Sequence, residues 1–288
     1  MSAARRAIDR FRQSVLGAAL SGRLTADWRE GRQPPEDGNS LLEAIVRARR
    51  DRARSRTDAP KTGTLELVGP RRGPFTLPQG WVWAIWNDLA DWITYGFTRP
   101  MPHVVEGIPI VTAKNVSGGE INFSTAAFTT VQAFLQLSEK DIPRPGELLL
   151  TKDGSIGRVA VVPKRQRFCV NQSVAVIRFG GLSADCNFLR YVIEAPFTQE
   201  RIQEAARGSA IQHIAITAFG LLPVPVPPLE EQREIVRRVT HLFAMTDGLL
   251  GRTETAVRRV GLASKAVLSK AFRGELTTAR GEAGQRRP

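Results

Sequence analysis

Seven basic side chains fall between positions 144 and 178: Arg144, Lys152, Arg158, Lys164, Arg165, Arg167 and Arg178. Only Glu147 and Asp153 oppose them in that stretch. Cations at this density neutralise phosphate oxygens, and an arginine can read a guanine edge through two parallel hydrogen bonds. Solvated strand ends account for the same charge equally well. Within the run, the turn DGSIG (153–157) holds Ser155 and is bracketed by Lys152 and Arg158, where short side chains and backbone could approach a duplex. Lys114, Asn115 and Gln212 are further polar candidates at strand ends or loops. Turn chemistry or a buried hydrogen bond is the competing account of each.

Catalytic constellations are missing from the sequence. It has no Gly-rich phosphate loop, no zinc-ligand cluster, no G-x-S-x-G elbow and no cofactor loop. His103, His213 and His241 lie far apart without an evident acid partner, and read as surface or structural residues. Cys169 and Cys186 lack metal-type spacing and read as inert core residues in a reduced, cytoplasmic setting. No run approaches the ~20 apolar residues of a membrane span. The expectation is a chain with no catalytic residues and no metal.

The net charge of +13 implies a polyanionic partner, but it is unevenly spread. Residues 1–72 carry 16 Lys+Arg against 9 Asp+Glu, residues 73–221 carry 13 against 12, and residues 222–288 carry 12 against 7. The near-neutral middle is framed by a repeat, VLGAALSGRLT (15–25) and VLSKAFRGELT (267–277). Both copies end amphipathic helices. In the first, Ile8, Phe11, Val15 and Ala18 share a face and Gly22 supplies a stop. The second helix is predicted to start at Pro228 or Leu229, with Glu230, Glu231 and Glu234 facing the positive end of its dipole. Its seam of Ile235, Val239, Leu242, Leu249, Val260 and Val267 has coiled-coil spacing and requires a partner helix. Gly248, Gly251 and Gly261 are candidate bends.

Between the helices, GRQPPEDGNS (31–40) reads as a loop, 41–54 as a basic helix and 55–74 as a mobile linker. From Leu77, β-like runs dominate: 81–85, 108–113, 147–152, 158–163 and 173–179, followed by short helices over 187–206. Trp81, Trp83, Trp86 and Trp92 are assigned to core packing. The fold class is α+β: one β-rich domain attached to long antiparallel coiled-coil-forming helices. Expected boundaries are 1–30 for the N-terminal helix end, 31–76 for helix and flexible linker and 77–221 for the β-rich domain. The long helix takes 222–277, and 278–288 form a disordered tail. Pro223, Pro225, Pro227 and Pro228 make a stiff connector into that helix and are expected to fix the angle at which it leaves the domain.

These blocks, in this order, resemble the specificity (S) subunit of type I restriction-modification systems. The segment LPQGWVWAIWNDLADWI (77–93) is similar to the opening of its target recognition domain. GIPIVTAKNV, PGELLLTKDGSIGRVAVV, CVNQSVAVIRF and GSAIQHIAI resemble its internal blocks, and LLPVPVPPLEEQREIVRRV resembles its most specific signature. The resemblance implies a non-catalytic subunit in which two recognition domains, at opposite ends of paired antiparallel helices, each read half of a split DNA target. It further implies partner methyltransferase (M) subunits that hold S-adenosylmethionine and methylate adenine N6, with no cofactor on this chain, and a motor-nuclease (R) subunit. Asn171 and Gln172 lie in a block shared by domains of differing specificity, so a structural role suits them. This sequence holds one recognition domain where the usual subunit has two. A homodimer, or pairing with a separate half, would restore the second. The rival readings are a small nuclease or methyltransferase, which needs an acidic cluster or cofactor loop, and a coiled-coil scaffold that never meets DNA.

Overall fold

A computed structural model describes residues 3–32, 36–55, 72–180, 184–206, 212–273 and 275–276. Most of the expected mobile linker and the whole expected tail lie outside them. In chain order the elements begin with α1 (Ala3–Leu20), α2 (Ala26–Arg29), α3 (Gly38–Ser55), β1 (Val82–Ile85), α4 (Trp86–Leu89) and β2 (Trp92–Tyr95). Next come β3 (Ile108–Val111), β4 (Val116–Ser117), β5 (Glu120–Ile121), β6 (Ala127–Thr129), α5 (Val131–Leu135) and β7 (Leu148–Thr151). The remainder is β8 (Val159–Val161), β9 (Cys169–Val170), β10 (Val174–Arg178), α6 (Cys186–Glu194), α7 (Pro196–Ala205), α8 (Ile216–Gly220), β11 (Pro223–Val226) and α9 (Leu229–Phe272). The α+β class is as expected.

The chain divides into two compact units, one of residues 13–239 and one of residues 1–12 with 240–288. In the larger unit, an antiparallel sheet ordered β2-β10-β7-β8 lies beside a three-stranded sheet ordered β6-β3-β9. The apolar runs explain the arrangement. Leu148, Leu149 and Leu150 of β7 and Val174 to Ile177 of β10 are all buried, as strands covered on both faces must be. One core gathers Val111, Val116, Leu149, Ala160, Val162, Phe168, Val170, Val174 and Val176. Cys169 belongs to a second core with Phe97, Ile110 and Phe134. Burial pushes the Cys169 thiol up to about 12 and the Cys186 thiol up to about 11, so neither supplies a nucleophile at neutral pH.

The proline-rich connector forms a strand over Pro223–Val226, with Pro227 and Pro228 leading from it into the long helix. β11 pairs antiparallel with β1, with Val226 opposite Val82 and Val224 opposite Ala84. Pro223 and Pro225 lack the donor, so the bonds to β1 fall on Val224 and Val226, and the prolines sit on the open edge. The expected boundary at 221/222 therefore falls just ahead of a strand whose partner opens the domain. Gly38, at the start of α3, lies against this pair: a Cβ there would come within 2.1 Å of the Val226 carbonyl oxygen.

α3 is docked rather than linker-like. Arg49, fully buried, donates to the carbonyls of Asn87, Asp88 (3.1 Å) and Ala90 (2.9 Å) and to Asp91 Oδ1 (3.0 Å). Those carbonyls close the short helix α4, whose last turn leaves acceptors without helical partners. Arg52 takes the second Asp91 oxygen at 2.7 Å.

In the smaller unit, Arg12 of α1 donates to Thr246 Oγ1 and Asp247 Oδ1 and lies over the Phe243 ring at 4.9 Å. α9 is helical from Leu229 to Phe272, without a break at Gly248, Gly251 or Gly261. Of its predicted seam, Ile235 and Val239 are buried in the larger unit, while Leu249, Val260 and Val267 are exposed, as are Met245, Val257 and Leu268.

Candidate nucleic-acid interface

The entry into α9 is built around two buried side chains. Glu231 accepts from Thr25 Oγ1 (2.6 Å), from Trp81 Nε1 (2.8 Å) and from Arg29. Gln232 accepts from the Asp185 backbone N–H and donates to the Pro227 carbonyl, both at 2.9 Å. Two adjacent residues thus tie the first turn of α9 to the end of the GRLT repeat, the start of β1, the start of α6 and the proline strand. One turn on, Glu234 and Asp27 share Arg238. Bonds from Arg237 and Arg238 hold the Glu234 carboxyl down at about 2. The stiffness expected of Pro223, Pro225, Pro227 and Pro228 is therefore joined by a hydrogen-bonded knot.

The polar candidates converge on the end of β7. Thr151 Oγ1 donates to the Ser155 carbonyl and accepts from the Arg158 N–H (2.9 Å), which closes the DGSIG turn. Gly157 in that turn has φ 84°, a left-handed conformation suited to glycine. The Gly154 N–H donates to the Gln212 carbonyl at 2.9 Å and the Ile214 N–H to the Lys152 carbonyl at 3.0 Å, so residues 212–214 run alongside the turn. Ser173 joins the third segment: its hydroxyl accepts from the Ala113 N–H at 3.0 Å and its carbonyl accepts from the Lys152 N–H at 3.0 Å. This brings the neighbourhood of Lys114 to the same end of the sheet. Lys114, Ser155, Arg158 and Gln212 are exposed there.

Two candidates are occupied inside the fold. Asn115 is buried: its Oδ1 accepts from Thr112 N–H and Oγ1, and its Nδ2 donates to the Asn122 carbonyl and Thr125 Oγ1. Its amide is spent on the turn before β4. Lys152 is buried too, with Nζ 2.9 Å from Asp153 Oδ2 and 5.2 Å from the centre of the Tyr95 ring. The basic run itself thins. Arg178 is buried against Glu147, Arg144 pairs with Glu139, and Arg158, Lys164, Arg165 and Arg167 stay exposed. Asn171 Oδ1 accepts from the Ser173 N–H and hydroxyl, as a structural residue would.

Sequence reasoning missed Tyr95 and His213. Tyr95 is exposed and has Lys140 and Lys152 over its ring. His213, read as lacking an acid partner, has Nδ1 on Asp153 Oδ1. Burial raises the Asp153 carboxyl, but the bonds to His213 and Lys152 outweigh it and leave the carboxyl below its usual range. The remaining signal was the spacing from DGSIG to QHI, which only pairing across the domain makes meaningful. Among the described residues, no group of three His, Cys, Asp or Glu side chains could hold a metal ion, and no helix is long and apolar enough to cross a membrane.

The larger unit is thus β-rich with an exposed basic and amide rim, and the chain continues from it into a long amphipathic helix. The chain belongs to the type I restriction modification DNA specificity domain family, whose model matches residues 103–258. It is 28% identical over 278 residues to the type I restriction enzyme EcoBI specificity subunit of Escherichia coli, covering 94% of this chain and 51% of that one. Against the EcoDI specificity subunit of Escherichia coli it is 26% identical over 283 residues, covering 94% and 54%. The chain thus spans about half the length of the curated relatives it matches. A solved chain from work on complex assembly and conformational transition of the type I R-M system shares the fold, with a TM-score of 0.56 at 21% identity, covering 89% of this chain and 68% of that one.

Proposed function

We propose that this chain is the non-catalytic, sequence-reading part of a cytoplasmic type I restriction-modification complex. Its larger unit reads one half-site of double-stranded DNA. The observation that carries this reading is the convergence of Lys114, Ser155, Arg158 and Gln212 on one end of the sheet. Phosphate contacts from such a rim set register, while bidentate groups read bases. Arg158→Ala is expected to weaken binding by roughly 1–3 kcal/mol and to relax preference at one base pair. Lys114→Ala is expected to lower affinity equally for all sequences and to make the log–log salt slope shallower by about 0.9. Binding that ignores both substitutions and salt would reject this surface.

In this reading α9, roughly 65 Å long at ~1.5 Å per residue, sets the half-site separation and docks methyltransferase subunits. Those subunits hold the S-adenosylmethionine, and a motor-nuclease subunit completes the assembly. The exposed Leu249, Val260 and Val267 need a covering helix, which an antiparallel second copy supplies. Light-scattering mass of the purified protein is expected to be that of a homodimer, and its selected target an inverted repeat. A monomer bound with its methyltransferase to an asymmetric site would instead favour pairing with a separate half.

A further inference from the structure

At the rim, a graded chain of side chains ends on His213. Lys152, 9% exposed at its side chain, packs its ammonium on Tyr95 and binds Asp153 Oδ2; Asp153, 29% exposed, binds His213 Nδ1; His213 is 44% exposed. The pair is not needed to hold its two segments together. The backbone bonds Gly154 N–H to Gln212 and Ile214 N–H to Lys152 already join them. An exposed imidazole held by a half-buried carboxylate, itself held by a buried lysine, is instead arranged to present its other nitrogen in one direction. With Nδ1 on the carboxylate, Nε2 is the ring nitrogen that faces away from Asp153, and it donates only in a ring that carries both protons.

We propose that His213 is a DNA-contacting residue that, with both ring nitrogens protonated in the complex, donates from Nε2 to an acceptor oxygen or nitrogen of the half-site, with Asp153 as its positioning residue. This rests on the DNA-reading function proposed above and adds a contact that the charge pattern does not contain. Two acceptors share the required chemistry, a backbone phosphate and the O6/N7 edge of guanine.

The test is DNA binding by the purified complex with His213→Ala, His213→Gln, Asp153→Ala and the Asp153/His213 double alanine variant, scored over a library of half-sites. His213→Ala is expected to lower affinity about ten- to hundredfold, and His213→Gln, which keeps an N–H donor, to recover part of that. Loss confined to one base pair identifies guanine; a uniform loss with a shallower salt slope identifies phosphate. Asp153→Ala is expected to weaken the wild type but to add little in the His213→Ala background. Normal affinity in both His213 variants overturns the contact, and additive losses overturn the positioning role. If the wild type binds DNA while both His213 variants match it, only this inference fails. If the wild type shows no salt-dependent binding at all, the DNA-reading function and this inference fall together.

Discussion

Replacing Glu231 by alanine is expected to destabilise the larger unit by about 3 kcal/mol, measured by urea unfolding. The side chain is buried and accepts from three donors on two other segments: Thr25, Arg29 and Trp81. Removing it strands the Trp81 N–H and the Thr25 hydroxyl and leaves Arg29 without its carboxylate. A lost partner of a buried charged group costs about 3–5 kcal/mol, and the lower end applies because Arg29 is partly exposed. Glu231→Gln keeps an acceptor and is expected to recover about half the loss. The effect should also appear as faster amide exchange in the first turn of α9, since that turn is what the knot holds. A Glu231→Ala variant within about 0.5 kcal/mol of the wild type would show that the knot contributes no more than a surface pair.

Arg49→Met is expected to cost a similar amount, about 3 kcal/mol, by a different route. Methionine replaces the aliphatic stem but none of the donors. The carbonyls of Asn87, Asp88 and Ala90 then stay buried without the guanidinium, and Asp91 keeps Arg52. Hydrogen exchange in α3 is expected to rise while β7 and β10 keep their protection. If α3 exchanges at the wild-type rate in Arg49→Met, the helix is held by its apolar face, through Leu41, Leu42, Ile45 and Val46.

These two sites also mark where the sequence stopped being legible. Periodicity located the β-runs at 108–113, 147–152, 158–163 and 173–179 to within a residue or two, because strands covered on both faces must be continuously apolar. The start of α9 was legible from Pro228 and the acidic first turn. Arg49 was not, because an arginine in a basic helix looks like a solvated one until its carbonyl partners are known. Glu231 read as a dipole-facing acid, and its burial depends on Thr25 and Trp81, distant in sequence. β11 was hidden for a local reason: its two prolines, with two more directly after it, argue against a strand unless the residues between them can donate and the prolines face an edge. At the candidate interface, DGSIG and Gln212 were visible as turn and loop chemistry. Tyr95 and His213 were not, since each acquires meaning only from a lysine or aspartate on another segment.

The most direct test of the proposed sequence reading is a binding selection from random DNA, using the chain purified with the proposed methyltransferase partner at physiological salt. The expected result is enrichment of two short motifs, in inverted orientation and separated by a fixed number of base pairs, with Arg158→Ala changing the motif and leaving the separation unchanged. A bound pool with no enriched sequence, from a complex that still binds DNA, would contradict it.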